Sequence, residues 1–268
     1  MADILFLAPH PDDEAIFNGG TIVQLANNGH NVHVIFATTG ELGHSLGVDP
    51  VAVIRKKEAE AACEILGVKS CHFIGFQDSG LDPNAFTTTS FAAANISNAV
   101  DKIVQALGNT RITTIVFDDQ FGTYGHPDHK QAHAVGMATA QLLGIGDCYW
   151  STIDPEQLHY AATHLVEEAS ESIEWLEFGP DGTLTPPDGM KFGYSSVEIT
   201  HTVRVHDEYG QKEDAIGTHA SQIAPDSIFW KIDPDARKIA YGTEWYVRAN
   251  IPNVRQPDRS PFHDLTLR

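Results

Sequence analysis

The residues best suited to chemistry fall in two short runs. Ala8-Pro9-His10-Pro11-Asp12-Asp13-Glu14 follows the first apolar stretch, and Gly125-His126-Pro127-Asp128-His129 lies farther along the chain. Imidazoles and carboxylates together suit a catalytic dication, which takes three protein ligands from His and Asp/Glu and keeps a further position for water. His10 and Asp13, three residues apart on one turn, can share such an ion. The third ligand is then His129 or His126. The ion acidifies its water and polarises a carbonyl. A carboxylate beside the ion, not itself a ligand, can take the water proton, and Asp12 fits. The remaining histidine can protonate a leaving amine or hold an oxyanion. Helix N-capping is the ordinary reading of Asp12 and Asp128. It leaves the histidines unexplained.

These runs meet only if the fold brings them to one edge. Short apolar or β-branched stretches at 4–8, 31–37, 71–76 and 112–117 read as strands. Between and after them, 14–28, 50–66, 91–107 and 127–143 read as helices, several closed by glycine. This alternation predicts an α/β fold: a Rossmann-like, three-layer α/β/α domain with a mostly parallel central sheet. Ligands bind at the carboxyl ends of such strands. The loops there gather His10, Asp12, Asp13, Glu14, Glu41, Asp78, His126, Asp128 and His129. The second half is less regular, with a strand expected at 197–205, a helix at 211–222, and a Pro/Gly/Asp-rich loop or hairpin at 179–193. The whole chain, 1–268, reads as one domain. Residues 1–145 form the core that carries the site, and 146–268 complete the sheet and cap it.

The two runs, APHPDDE and GHPDH, resemble the signature of the LmbE/PIG-L family of zinc-dependent N-acetyl-amino-sugar deacetylases. Thr38-Thr39-Gly40-Glu41, Arg55 with Glu58, Asp78-Ser79-Gly80 and His219-Ala220-Ser221-Gln222 extend the resemblance. It covers most of 1–145 and the rest thinly. It implies His10, Asp13 and His129 as ligands of one zinc ion per chain and Asp12 as the general base. His126 would stabilise the tetrahedral intermediate or act as the acid, with Asp128 orienting it. Tyr124 would be a mobile tyrosine supporting the oxyanion. Arg55, Asp78 and Glu41 would contact the sugar or its aglycone. The implied reaction is attack of the metal's water on the N-acetyl carbonyl of an N-acetylglucosaminyl conjugate. The length, the Asp-Ser-Gly element and the late His-Ala-Ser-Gln resemble the branch of low-molecular-weight thiol metabolism, of the mycothiol or bacillithiol type. An amidase of thiol S-conjugates would use the same catalytic residues. Ferrous iron accepts the same ligands. A noncatalytic sugar-binding module would instead close a structural metal with four protein ligands. A nicotinamide dehydrogenase would need a glycine fingerprint after the first strand, which is missing.

Other residues have plainer readings. His133, four after His129, lacks the Glu of a zincin pair and is expected to pack inside. His219 is expected in a hydrogen-bond network. Asn18-Gly19-Gly20 lies within a helix and suggests close helix–sheet packing. Arg55 has an alternative as a surface partner of Glu58 or Glu60.

The net charge of -19, with 36 acidic and 17 basic residues, disfavours nucleic acid and membrane surfaces as partners. It favours a small neutral amino-sugar conjugate, and a homo-oligomer is allowed. Three isolated cysteines and no basic, apolar leader lead to the expectation of a cytoplasmic protein with reduced thiols.

Overall fold

A computed structural model describes residues 1–44, 49–164, 177–178, 184–185, 189 and 191–265. The elements run β1 (Asp3–Ala8), α1 (Asp13–Asn27), β2 (Asn31–Phe36), α2 (Val51–Ile65), β3 (Ser70–Phe73), α3 (Ile96–Leu107), β4 (Thr114–Asp118), α4 (Pro127–Leu143), β5 (Asp147–Thr152) and α5 (Pro155–His164). A two-residue pair, β6 (Glu177–Phe178) and β7 (Leu184–Thr185), stands apart from the main sheet. Then come β8 (His201–Arg204), α6 (Tyr209–Thr218), α7 (Ile228–Lys231), α8 (Pro234–Tyr241) and β9 (Thr243–Arg248).

Seven strands form one sheet in the order β3-β2-β1-β4-β5-β9-β8. The first five are parallel; β9 and β8 join antiparallel at one edge. Strand residues bury alternate side chains on opposite faces. Ile4, Phe6 and Ala8 of β1 meet α1, α2 and α6 on one side. Leu5 and Leu7 meet α3 and α4 on the other. The expected three-layer α/β/α architecture is thus present. The strand order reverses between β1 and β4, so the loops after these two strands flank the crevice where such folds place ligands.

Several elements depart from the sequence reading in detail. The helix expected at 91–107 begins as a 3₁₀ turn at Phe91–Ala93. The α-helix proper starts after Asn95, whose side chain accepts the Asn98 N–H at 3.3 Å and so caps it. The strand expected at 197–205 shrinks to β8, because Glu198 folds back on Ser195 and pairs with Lys191 instead of extending. The helix expected at 211–222 is α6, which stops before His219 in a turn. Most of the stretch 179–193, and Trp175, lie outside the described residues. Cys63 and Cys148 are buried and Cys71 half-buried, all as free thiols. Among the described residues no helix is long and apolar enough to cross a membrane.

Gly19 and Gly20 sit where α1 presses on α6 and the residue following β8. A Cβ on Gly20 would lie 2.3 Å from the Cβ of fully buried Val205. Gly20→Ala is therefore expected to cost about 1–3 kcal/mol by overpacking, although alanine is the better helix former by about 1 kcal/mol. Urea unfolding checks this; equal or higher stability would remove the close-packing role.

Candidate metal centre and active site

The turn after β1 is folded by its own chemistry. Asp13 opens α1, and its Oδ2 accepts the backbone N–H of His10 at 2.9 Å. The same oxygen lies 3.4 Å from His10 Nδ1 and 3.5 Å from His129 Nε2. Metal–ligand bonds of about 2.0–2.1 Å at tetrahedral angles separate neighbouring donors by about 3.3–3.4 Å. The spacing is that of two edges of a tetrahedral site.

His129 Nε2 is buried without a hydrogen-bond partner. Its Nδ1 lies 2.9 Å from Asp118 Oδ1, and a carboxylate only accepts, so Nδ1 carries the proton. A lone pair on Nε2 then faces Asp13. His10 is arranged the other way round. Its Nε2 donates to Asp128 Oδ2 at 3.1 Å, with Asp78 Oδ1 at 3.6 Å, leaving Nδ1 toward Asp13. His10, His126 and His129 also offer ring nitrogens within 4.8 Å of one another. An orphaned buried nitrogen, an adjacent carboxylate and a set of N and O donors fit a borderline dication such as zinc. A second trio, His10, Asp78 and Asp128, is joined by the His10–Asp128 hydrogen bond.

The local field favours positive charge. Burial opposes a cation on His10, but Asp128, Asp13 and Asp78 together raise its pKa well above the ordinary value. Burial likewise opposes ionisation of Asp13, yet His129 and His10 hold its carboxyl well below the usual range. His126 is different. Burial, then His10 and His129, push it down to about 3. It is therefore neutral, and because Nδ1 accepts the Asp128 backbone N–H at 3.1 Å, its proton sits on Nε2.

Asp12 precedes α1 with φ of 114°, a conformation that non-glycine residues adopt only under constraint. The constraints are visible. Its N–H donates to Glu14 Oε2 at 2.9 Å, and the other oxygen of Glu14 takes Nε2–H of fully buried His219 at 2.8 Å. Its Oδ2 takes an Arg55 Nη2–H at 3.1 Å. Burial, opposed by Arg55, pushes the Asp12 carboxyl up to about 6.

A cleft of about 460 Å³ opens over these groups, a size suited to a small ligand. His10, Asp12, Arg55, Asp78, Tyr124 and His126 all line it. Asp13, His129 and Asp128 are buried beside them. Tyr124 keeps its phenolic proton, since burial and then the surrounding carboxylates push its pKa far up.

Several residues sit differently from the sequence reading. The Asp128 carboxylate holds His10, and the N–H and hydroxyl of Ser79, rather than His126. Glu41 does not line the cleft: it accepts the Asp78 N–H at 3.0 Å and the Thr39 hydroxyl, bracing one loop against another. Arg55 is buried, not a surface partner of Glu58 or Glu60. Its Nη atoms donate to the carbonyls of Gly40 and Pro11 as well as to Asp12. Glu58 instead binds Ser221. His133 packs on Phe117 and Trp150 and bonds the Asp118 carbonyl at 3.0 Å.

Sequence reasoning gave no role to Asp118, Ser79 or Gln222. Gln222 forms a cleft wall, its amide tied to the His44 backbone. Asp118 carried a signal, as the last residue of β4, the strand paired with β1 at the point where the strand order reverses. Ser79 and Gln222 act through partners distant in sequence.

Residues 5–140 match the family model described as PIG-L, GlcNAc-PI de-N-acetylase. A deacetylase of 1D-myo-inositol 2-acetamido-2-deoxy-alpha-D-glucopyranoside from Nocardioides sp. is 29% identical, over 91% of this chain and 90% of that protein. The protein of the same name from Mycobacterium sp. strain JLS is 30% identical, over 91% and 82%. Among solved structures, N,N'-diacetylchitobiose deacetylase from Pyrococcus horikoshii superposes with a TM-score of 0.60 at 20% identity, covering 96% of this chain and 87% of its own. A 4-carboxy-2-hydroxymuconate hydratase from Pseudomonas putida superposes at 0.57 and 15% identity, over 97% and 100%. The last two establish the fold alone, and they show that one fold serves both a hydrolase and a hydratase. The match over half the chain, with relatives aligned along most of its length, establishes that the chain belongs to the LmbE/PIG-L family of N-acetylglucosaminyl deacetylases.

Proposed function

We propose that this enzyme removes the acetyl group from an N-acetylglucosaminyl conjugate, with His10, Asp13 and His129 holding one zinc ion. The observation that carries the reading is the placement of Asp13 Oδ2 at 3.4 and 3.5 Å from two histidine nitrogens, one of them buried and unpartnered. Bound there, the ion would acidify a water and polarise the amide carbonyl. The chain's own groups perform the proton transfers. Asp12 takes the proton of the attacking water, and Arg55 holds its carboxylate in place. The neutral His126, with its proton on Nε2, and the Tyr124 phenol donate to the oxyanion and to the departing nitrogen. Water and amide become acetate and a free amine. Asp78, facing the cleft, bonds sugar hydroxyls.

The substrate is a neutral conjugate. Arg55 is the one Arg or Lys lining the cleft among the described residues, and its Nη groups already bond Asp12 and two carbonyls. The Nocardioides and Mycobacterium relatives are named for deacetylating 1D-myo-inositol 2-acetamido-2-deoxy-alpha-D-glucopyranoside, an uncharged conjugate, which fits. Residues 1–145 carry the metal centre; 146–268 complete the sheet and reach over the site through Gln222.

Acetate release from N-acetylglucosaminyl inositol, measured beside turnover of a thiol S-conjugate, tests this. Activity is expected to vanish on chelation and to return with zinc or ferrous iron. Preference for the S-conjugate would transfer the chemistry to an amidase, and no turnover by the metal-loaded chain on either would end the reading.

A further inference from the structure

We infer that Asp118 is a positioning residue for the metal centre: its carboxylate selects the His129 tautomer that offers Nε2 to a divalent cation. The inference rests on reading His10, Asp13 and His129 as the metal donors.

A neutral imidazole has one proton, and two carboxylates compete for it here. Asp13 Oδ2 lies 3.5 Å from Nε2 and Asp118 Oδ1 lies 2.9 Å from Nδ1. A proton on Nε2 would bond Asp13 and remove a donor from the site. A proton on Nδ1 leaves that donor free. The shorter contact, within ordinary hydrogen-bond distance, decides for Nδ1. Among the described residues the other contact to Nδ1, Thr123 Oγ1, is longer at 3.5 Å, and that hydroxyl already donates to Asp118.

Asp118 is itself held. Its Oδ1 accepts the Thr123 hydroxyl at 2.8 Å, and Thr123 is buried with a positive φ of 59°. That strained backbone is fixed by Asp119, the residue after Asp118. Asp119 Oδ1 accepts the N–H groups of Phe121 and Thr123, and its Oδ2 accepts the Thr152 hydroxyl at 2.5 Å. The loop is thus wound around two adjacent carboxylates, one of which points back at His129. Partners of this kind fix ring orientation and tautomer in metal sites generally.

The test uses the full chain and zinc alone. Zinc affinity is measured by competition with a chromophoric chelator, and the ¹⁵N shifts of the His129 ring are read in metal-free protein. Asp118→Ala is expected to weaken zinc binding by about 10–100-fold and to move the proton toward Nε2. Asp118→Asn keeps an acceptor without the charge, so its affinity is expected to fall between the two. It also carries the test if the alanine variant fails to fold. Zinc affinity within about twofold of native in both variants, or a native proton already on Nε2, would overturn the inference. A loss of thermal stability with zinc affinity and ring shifts unchanged would do the same. Both readouts need no substrate, so absent acetate release would end the deacetylase reading and leave this one intact.

Discussion

Asp12→Asn is expected to bind zinc like the native chain while losing about 10²- to 10⁴-fold in kcat, the range for a positioned general base. The substitution isolates the chemistry because asparagine shares aspartate's tolerance of positive φ, so the 114° turn survives. An amide oxygen also keeps the contact to Arg55. What disappears is the capacity to take a proton. The neighbours cannot take over. Glu14 is fully buried and bonded to His219, and Asp78 is held by the N–H groups of Gly80 and Leu42. The check pairs metal content with the acetate-release rate at saturating substrate. Native turnover with the metal in place would remove Asp12 from the role of base. A rise in KM at unchanged kcat would instead make it a binding group.

The Asp12 surroundings also show how far the sequence could be read. The proposed donors His10, Asp13 and His129 stand in two compact runs that follow apolar strands, so their residue types and loop positions were legible. The parallel half of the sheet was legible for the same reason: strands buried on both faces are nearly continuous apolar runs. The supporting contacts were not. Glu14 meets His219 across 205 residues, and Ser79 meets Asp128 across 49. No local period encodes such pairs. Arg55 reads in the sequence as a sugar contact, with a surface pair to Glu58 or Glu60 as its alternative, but no local pattern could show that α2 turns it inward to Asp12 and leaves Glu58 to Ser221. The antiparallel edge was hard for another reason. β8 (HTVR) has only four residues, β9 (TEWYVR) mixes charged with aromatic residues, and one charge, Glu244, points inward.

That inward charge has the largest expected effect on stability. Glu244 and Lys212 are both buried, with side chains 1% exposed, and their atoms meet at 2.7 Å. Glu244 is almost fully satisfied: Oε1 also takes the Gly20 N–H, and Oε2 takes the Thr21 N–H and the Tyr246 hydroxyl. Lys212 adds a bond to the Tyr241 carbonyl at 3.0 Å. The pair joins α1, α6 and β9 behind the turn that presents Asp13. Its net contribution against an apolar replacement is small, because removing two charges from water costs about as much as their attraction returns. Breaking it is another matter. Lys212→Met leaves a buried carboxylate without its counter-charge and is expected to cost about 3–5 kcal/mol. Glu244→Gln combined with Lys212→Met removes the stranded charge and is expected to lose less than the two single changes added together. Urea unfolding of the four proteins closes the cycle. Strict additivity would mean that the charges do not act as a pair. A single Lys212→Met loss below about 1 kcal/mol would put the site in the range of solvent-screened surface pairs, against its burial. Metal affinity in the folded fraction is expected to stay native, since neither side chain reaches the donors and α1 remains anchored through Glu14 and His219.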